Sequence, residues 1–327
     1  DRFPTKAWQE AERLGNQKIK ADNRLDLRDK FIFTIDPPDA KDYDDAVSLE
    51  KSPDGNWLLG VHIADVSHYV TPGSVLDREA RRRGTSIYLG ENVIPMLPPP
   101  ISDELCSLKP GEDRLAFSVV LTLNGAGAVV RYSFAPSIIR SFRRFSYEEV
   151  QEILDTKSGE YFDMFTNMRQ ISRTLFERRR AAGSIDFDIP EPVFKMGPAG
   201  IPIEINPSER LDSHRIIEEF MLAANRAVAE YISIKRRNEK LPFLYRIHPQ
   251  PPQQNITELY QILRNLGLDL HQPPKLKPMD IQKILNGLAE MPYKNFIEQI
   301  TLRSMAKAIY SHQPLSHFGL AFPHYTH

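Results

Sequence analysis

A short stretch of concentrated negative charge constrains this chain more than any other feature. Residues 34–46 read TIDPPDAKDYDDA and place five aspartates within thirteen residues, directly after an apolar run, with Lys41 as the only cation. Two carboxylates ~4 Å apart repel by about 1 kcal/mol in water and by ~4 kcal/mol at an effective dielectric constant of about 20. A fold that brings several of these side chains together therefore needs a cation, or some carboxyl groups must stay protonated.

The spacing of these aspartates separates the kinds of site that they could form. A calcium loop counted from Asp39 would put Lys41 at its third position and Asp44 at the position that requires glycine, so this motif does not fit. A magnesium site fits better, because Mg²⁺ takes oxygen ligands from a few aspartates and keeps positions for water and a substrate phosphate. The spacing thus favours metal-dependent phosphoryl chemistry, and a solvated acidic turn remains the alternative.

Composition bounds the class of protein. The 327 residues can form one large domain or about two average ones. The formal net charge of −1 argues against a protein that coats nucleic acid through bulk charge, and a local basic channel stays possible. Cys106 is the only cysteine, so no internal disulfide can form and a reducing compartment is expected. No apolar run approaches the ~20 residues that cross a bilayer. We therefore predict a cytoplasmic protein without a membrane segment.

Positive charge is concentrated in short clusters of arginine and lysine. The clusters lie at residues 78–83, 140–144, 178–180 and 235–237. Such runs are usually solvated helix faces. Together they could instead line a channel along a phosphate backbone, and both interpretations stay open at the level of sequence.

Local patterns predict strands in the first part of the chain and helices in the second. Strands are expected at 31–35, 57–66, 115–123 and 128–139, with a hairpin at Asn124–Gly125. Helices are expected at 4–15, 147–154, 168–182, 214–237, 256–268 and 301–311. The proline-rich segments 92–100, 188–194 and 248–253 are expected to be ordered loops. Strands followed by helices indicate an α+β architecture.

One acidic side chain on a predicted helix stands out from its neighbours. Glu218 shares a helical stripe with His214, Met221, Leu222 and Asn225. A carboxylate among apolar side chains needs a partner, because burying it alone is costly, and a ribose hydroxyl could be that partner. Glu219 instead lies with two arginines, which predicts a solvated, ion-paired face.

The acidic stretch and several longer segments resemble one known family. TIDPPDAKDYDDA is similar to the signature of the ribonuclease II/ribonuclease R (RNB) family of 3′→5′ exoribonucleases. Further segments resemble blocks of this family in the family's order: 60–70, 84–119, 183–192, 213–232, 241–252 and 302–327. The resemblance covers nearly the whole chain, and ordered blocks are far more specific than a single aspartate cluster.

The resemblance implies a fold and a domain organisation. Residues 1–327 are expected to form an RNB catalytic domain of the α+β class, in which a β-rich first half with a mixed sheet packs with a helical second half. The carboxy-terminal part of the domain is expected to be missing, together with an arginine-containing block that holds the scissile phosphate. Cold-shock and S1 domains are also expected to be absent from these residues.

The resemblance also implies which residues carry the chemistry. Asp36, Asp42 and Asp45 match the magnesium ligands of the family, and Asp44 matches the aspartate whose carboxylate the reaction most requires. Asp39 matches no ligand position, so we expect it to face solvent or to be structural.

Four further residues match positions that contact RNA in the family. Tyr88 and Phe187 match aromatic side chains that pack on the terminal nucleotides. Stacking of a base on an aromatic ring is worth roughly 1–3 kcal/mol and tolerates any base, although either ring could instead be a core residue. Glu218 matches the glutamate that contacts the ribose, and Tyr147 is its companion at the 2′-OH, the group that distinguishes RNA from DNA.

The function implied is a Mg²⁺-dependent, hydrolytic 3′→5′ exoribonuclease that releases nucleoside 5′-monophosphates from single-stranded RNA, with two Mg²⁺ ions during catalysis. Two alternatives remain. One is an RNB-type scaffold that binds RNA without cleaving it, and the other is a metal-dependent nuclease that also acts on DNA.

Overall fold

The computed structural model describes residues 2–17, 19, 23–89, 92–187, 189–190, 192–197, 201–239, 241–268, 270–288, 291 and 293–327. It divides into two compact units. The first comprises Asp1–Gln170 and Leu211–Phe220, and the second comprises Ile171–Arg210 and Met221–His327.

The first unit is built on a mixed β-sheet. Its strands are, in chain order, β1 (Leu25–Asp26), β2 (Ile32–Asp36), β3 (Asp45–Lys51), β4 (Trp57–Ala64), β5 (Ile87–Leu89), β6 (Asn92–Ile94), β7 (Asp113–Leu123) and β8 (Val129–Ser146). Within the described residues, β5 and β6 form a separate two-stranded ribbon, and the other six strands form one sheet in the order β1-β8-β2-β3-β4-β7. Strands β1 and β2 run parallel to β8, and the remaining neighbours in this sheet are antiparallel.

The long strand β8 closes the hydrogen bonding of this sheet. It is 18 residues long, and it pairs with β7 in its first part and with β2 in its last part. Hydrogen bonding therefore runs from β8 through β2, β3, β4 and β7 and returns to β8. Every residue of β2 is buried, which accounts for the apolar run that precedes the aspartates.

Helices pack around the sheet of the first unit. They are α1 (Thr5–Gly15), α2 (Val66–Tyr69), α3 (Val75–Arg83), α4 (Tyr147–Thr156) and the first part of α5 (Phe162–Ala181). A π-helical turn, Pro100–Leu105, lies between β6 and β7. Buried side chains of α1, α3 and this turn join sheet residues in one core cluster that includes Ala7, Leu76, Ile101 and Ile32.

The second unit is mainly helical. Its strands are β9 (Pro192–Met196), β10 (Pro202–Pro207), β11 (Tyr245–Ile247) and β12 (Ile309–Ser311). Its α-helices are the second part of α5 (residues 171–181), α6 (Asp212–Glu230), of which residues 221–230 belong to this unit, α7 (Gln253–Asn265), α8 (Pro278–Asn286) and α9 (Lys294–Ser304). A core cluster that includes Leu259, Leu263, Ile281 and Ile297 holds α7, α8 and α9 together.

The predicted α+β class with a mixed sheet is confirmed, and some local predictions are wrong. The helix expected at 301–311 ends at Ser304, and Ile309–Ser311 pair with β11 as a strand. Helical spacing over a few apolar residues is ambiguous, and pairing with a distant strand decides the outcome. The proline-rich segments at 92–100 and 188–194 were expected to be loops, but they contain β6 and part of β9.

Two features bear on membranes and on cysteine chemistry. In the described part of the chain, no helix combines the length and apolar character that crossing a bilayer requires. Cys106 is buried, and burial raises the pKa of its thiol to about 12. The thiol therefore stays protonated, as is usual for a structural cysteine.

Candidate active site

The aspartates of the acidic stretch lie where β2 ends and β3 begins. Asp36 is the last residue of β2, and Asp45 is the first residue of β3. Because the two strands are antiparallel neighbours, the end of one lies beside the start of the other, and the loop between them carries Asp42 and Asp44. The carbonyl oxygen of Asp44 accepts a hydrogen bond from the amide of Ala64 (2.9 Å), which attaches the end of the loop to β4.

Three of these carboxyl groups have raised pKa values. Burial raises the pKa of Asp36 to about 6, and Asp42 and Asp44 add to the rise. Asp44 reaches solvent, yet partial burial of its carboxyl group and the charge of Asp42 raise its pKa to about 6 as well. The pKa of Asp45 rises most, to about 7, through burial and then through Asp36 and Asp44. The carboxylates are thus close enough to repel one another.

Arg144 on β8 holds the first turn of residues 37–44, which we call the acidic loop. Its guanidinium group donates hydrogen bonds to the carbonyl oxygens of Pro37 (2.5 Å) and Pro38 (2.7 Å). Its positive charge also opposes the rise in the pKa of Asp36. The interpretation of its basic cluster as a helix face is wrong, because the cluster lies on a strand.

Tyr88 extends from the β5–β6 ribbon to the acidic loop. Its hydroxyl group donates a hydrogen bond to Oδ2 of Asp42 over 3.3 Å. Burial of the hydroxyl and the nearby charge of Asp42 raise the pKa of Tyr88, so the group remains a hydrogen-bond donor. The residue as a whole is 64% exposed, which excludes the alternative that it is a core residue. Asp39 is also exposed, as expected for an aspartate without a ligand position.

Tyr147 lies beside the same carboxylates. It is the first residue of α4 and follows Ser146, which pairs with Asp36 across β2 and β8. The hydroxyl of Ser146 caps this helix by accepting a hydrogen bond from the amide of Glu149 (3.1 Å). Burial and the charges of Asp45 and Asp36 raise the pKa of Tyr147 to about 12. Its phenol group therefore stays protonated near the aspartates.

The first part of helix α6 belongs to the first unit and carries Glu218, the acidic residue predicted to contact ribose. The ring of His214 packs on the ring of Tyr147, with centroids 4.2 Å apart. Glu218 is one helical turn beyond His214 and is half-buried. The prediction that Glu219 is solvated is wrong, since it is 2% exposed. The apolar neighbours Ile216, Ile217 and Phe220 are also buried, so α6 is buried over more of its circumference than one helical face.

Phe187 belongs to the second unit, whereas the other predicted site residues belong to the first. Its ring is half-buried and packs against the core cluster of the second unit. Asp186 beside it accepts a hydrogen bond from Arg210 (2.8 Å). These contacts give Phe187 a fixed place within its own unit.

The aspartate group fits a divalent cation in its chemistry. All of its donors are oxygen atoms, and Oδ2 of Asp36 is buried without a hydrogen-bond partner among the described residues. A cation would offset both the burial of these carboxylates and the repulsion among them, which together raise their pKa values. Across the described part of the chain, no three His, Cys, Asp or Glu side chains converge closely enough to form a cage for a metal ion. Mg²⁺ does not require such a cage, since it usually binds one or two carboxylates and keeps several waters.

Two residues that shape this site have no individual signal in the sequence. Arg144 stands out only as part of a basic cluster. Ser107 belongs only to a long resembling segment, yet its hydroxyl donates a hydrogen bond to the carbonyl oxygen of Lys41 in the acidic loop (2.7 Å). Neither contact leaves a local signal, because the partners are 66 to 107 residues apart in the chain.

Comparison with known proteins gives consistent matches. A family model described as RNB domain matches residues 24–327. The chain is 43% identical over 333 residues to Ribonuclease R of Thermotoga maritima, covering 99% of this chain and 46% of that protein. It spans about half the length of the curated relatives it matches.

Solved structures share the fold. Mycoplasma genitalium RNase R in complex with ribose-methylated single-stranded RNA matches with a TM-score of 0.91 at 30% identity, covering 100% of this chain and 51% of that chain. Yeast Ssd1, described as a pseudonuclease, matches with a TM-score of 0.76 at 23% identity, covering 94% of this chain and 38% of that chain. The second likeness concerns the fold alone.

Proposed function

Because the chain belongs to the RNB domain family, we propose that it carries the active site of a 3′→5′ exoribonuclease. The substrate is single-stranded RNA, the products are nucleoside 5′-monophosphates, and the cofactor is Mg²⁺, with two ions during catalysis. The observation that carries the proposal is the group of mutually repelling carboxylates at the junction of β2 and β3. The RNA complex of the M. genitalium relative supports RNA as the substrate.

The four aspartates have different proposed roles. Asp36, Asp42 and Asp45 would hold the cation, either directly or through bound water, and the buried Oδ2 of Asp36, which has no hydrogen-bond partner among the described residues, is available to it. The chemistry that Mg²⁺ would supply in this position is a positive charge that activates water and stabilises the leaving oxygen of a phosphodiester. Asp44 reaches solvent at the end of the acidic loop, where its carboxylate can orient the attacking water. Arg144 keeps the start of the loop in place.

Aromatic side chains hold the 3′ end of the RNA. The exposed ring of Tyr88 is tethered through its hydroxyl to Asp42, so a nucleotide stacked on this ring lies close to the aspartates. On the second unit, Phe187 is the residue that we propose to stack on RNA. Each stacked base contributes roughly 1–3 kcal/mol without selecting a sequence, as a nuclease that moves along RNA requires.

Recognition of the sugar distinguishes RNA from DNA. The protonated hydroxyl of Tyr147 lies near Asp36 and Asp45, and a hydrogen bond from it to a ribose 2′-OH would be lost with deoxyribose. Glu218 on α6 would accept a hydrogen bond from the same ribose hydroxyl. A buried polar group that loses its partner costs about 1–3 kcal/mol, which is enough to disfavour DNA.

A non-catalytic RNA-binding scaffold is the second candidate. The fold is shared with Ssd1, which is described as a pseudonuclease, and a shared fold does not carry an activity with it. The aspartates of the described structure do not already form a closed cage. The presence of all four aspartates at one end of the sheet favours catalysis over binding alone.

A labelled-substrate assay tests the proposal. RNA labelled at its 3′ or 5′ end and a matched DNA are incubated with Mg²⁺ or with EDTA, using this chain and the longest natural protein that contains it. Asp44→Asn is compared with Asp39→Asn, which removes the same charge from an exposed position of the same loop.

The expected result is Mg²⁺-dependent shortening of RNA from its 3′ end, absent in Asp44→Asn and retained in Asp39→Asn. If this chain and the longer natural protein both bind RNA without shortening it, the result would support the scaffold instead. Equal degradation of DNA would support a nuclease of broader specificity.

A further inference from the structure

The acidic loop contacts a buried hydroxyl group outside the acidic stretch. Ser107 directly follows Cys106 at the end of the π-helical turn and is fully buried. Its hydroxyl donates to the carbonyl oxygen of Lys41 (2.7 Å) and accepts from the amide of Tyr43 (3.1 Å). These two backbone groups flank Asp42, so one side chain holds the chain on both sides of a metal-ligand candidate.

The position of Ser107 is itself fixed. Arg114 is 7% exposed, and its Nε donates to the carbonyl oxygens of Ser107 (2.8 Å) and Glu104 (3.1 Å). The amide of Leu108 donates to the carbonyl oxygen of Tyr43 (2.9 Å), which adds a backbone contact next to that of the hydroxyl. The segment after the π-helical turn thus forms a rigid support beneath the acidic loop.

The loop needs such a support because it is not part of the sheet. Residues 37–44 lie between β2 and β3 and are in neither strand. Ordering one residue costs roughly 1–2 kcal/mol of conformational entropy, and the carboxylates carried by the loop repel those at the strand ends. Without fixed peptide groups around Asp42, its carboxylate would move away from Asp44 to relieve this repulsion.

We infer that Ser107 is a positioning residue that holds Asp42 in its metal-binding orientation, an inference that rests on the proposed function. Because Ser107 is fully buried, its hydroxyl would not contact the cation or the RNA directly. It acts through the peptide groups of Lys41 and Tyr43. Removing a residue that orients a metal ligand without binding the metal itself typically lowers metal affinity by about 10–100-fold.

Direct metal binding tests this role without reference to catalysis. The dissociation constant of Mn²⁺ is measured by titration calorimetry in the absence of RNA, for the wild type, Ser107→Ala and Ser107→Cys. Ser107→Cys keeps most of the buried volume and weakens only the hydrogen bonds, so it decides the question if Ser107→Ala does not fold. Ser137→Ala is the matched control, since Ser137 is also fully buried and its hydroxyl bonds to Ser118 (2.6 Å) and to the Ala116 carbonyl (3.2 Å) in the sheet.

The expected result is a dissociation constant about 10–100-fold higher in Ser107→Ala, an intermediate value in Ser107→Cys and the wild-type value in Ser137→Ala. Wild-type affinity in both Ser107 variants would overturn the inference. Equal weakening in Ser137→Ala would also overturn it, because the effect would then be general loss of stability. Failure of the wild type to bind Mn²⁺ would instead count against the proposed function.

Discussion

The ring of Tyr147 packs against the ring of His214, with centroids 4.2 Å apart and planes inclined by 42°. This contact joins the residue next to the aspartates to the helix that carries Glu218. Tyr147 follows the end of β8, and His214 lies in the first turns of α6. The contact therefore links two parts of the chain, distant in sequence, that carry the residues proposed to recognise ribose.

Removing His214 should weaken the preference for RNA. Ring pairs of this kind contribute about 0.5–1.5 kcal/mol, so His214→Ala should lower the ratio of kcat/KM for RNA over DNA by roughly 2- to 12-fold. Tyr147→Phe should lower this ratio further, because it removes the hydroxyl itself. His271→Ala is the control, since His271 is exposed in the second unit. An unchanged ratio in His214→Ala would show that the ring contact does not orient Tyr147.

Asp45→Asn should stabilise the metal-free protein and abolish its stabilisation by Mg²⁺. The folded-state pKa is raised from 3.8 to about 7, so the charge on Asp45 opposes folding. This cost grows as the pH rises from about 4 to 7 and is fully present above pH 7. The variant should gain on the order of 2–4 kcal/mol at pH 8 in EDTA.

Thermal unfolding in EDTA and in Mg²⁺ measures both effects of Asp45→Asn. Asp39→Asn should respond to Mg²⁺ as the wild type does, because Asp39 is exposed and lies outside the carboxylate group. If Mg²⁺ raises the melting temperature of Asp45→Asn as much as that of the wild type, Asp45 does not bind the metal ion.

Arg144→Gln should shift metal binding to higher pH. The variant loses the donors to Pro37 and Pro38 and the charge that opposes the rise in the pKa of Asp36. The resulting further rise in the pKa of Asp36 should weaken Mn²⁺ binding at a pH near or below that pKa, because more of the carboxyl group is protonated there, and should affect binding least at pH 8. Arg140→Gln is the control, because Arg140 lies on the same strand but pairs with Asp113 (2.7 Å). The measurement is the Mn²⁺ dissociation constant from pH 6 to 8, and identical profiles for the two variants would contradict the role of Arg144.

His62 should make the stability of the fold decrease in acid. It is buried between Ser48 (3.1 Å) and Ser118 (2.7 Å), and burial lowers its pKa from 6.5 to about 3. Below pH 6.5 the unfolded chain binds a proton that the folded chain does not, so stability falls as the pH decreases towards 3. The slope from this residue approaches about 1.4 kcal/mol per pH unit.

Urea unfolding between pH 7.5 and 5 checks this contribution of His62. The free energy of unfolding of His62→Gln should be lower than that of the wild type at neutral pH. It should also depend less on pH, by an amount that corresponds to the uptake of nearly one proton on unfolding. His271→Gln should keep the wild-type slope. If the unfolding free energy of His62→Gln depends on pH as that of the wild type does, other groups cause the loss of stability in acid.

Much of this protein can be read from local patterns in the chain. The apolar run followed by aspartates predicts a buried strand that ends at a charged turn, and β2 and the acidic loop have this form. The hairpin at Asn124, the helices at 4–15 and 147–154 and the α+β class are confirmed. These features depend on turn chemistry and periodicity over a few residues, which is information that a single segment contains.

What only the tertiary structure decided is how the site is held together. Arg144 reaches Pro37 across 107 residues, and Ser107 reaches Lys41 across 66. Glu219 is buried although its helical spacing predicts a solvated face, and residues 309–311 form a strand because β11 is available to pair with them. Spacing along a chain determines which side chains share a face. Which face becomes buried, and which backbone groups a distant hydroxyl or guanidinium can reach, depends on how the elements pack.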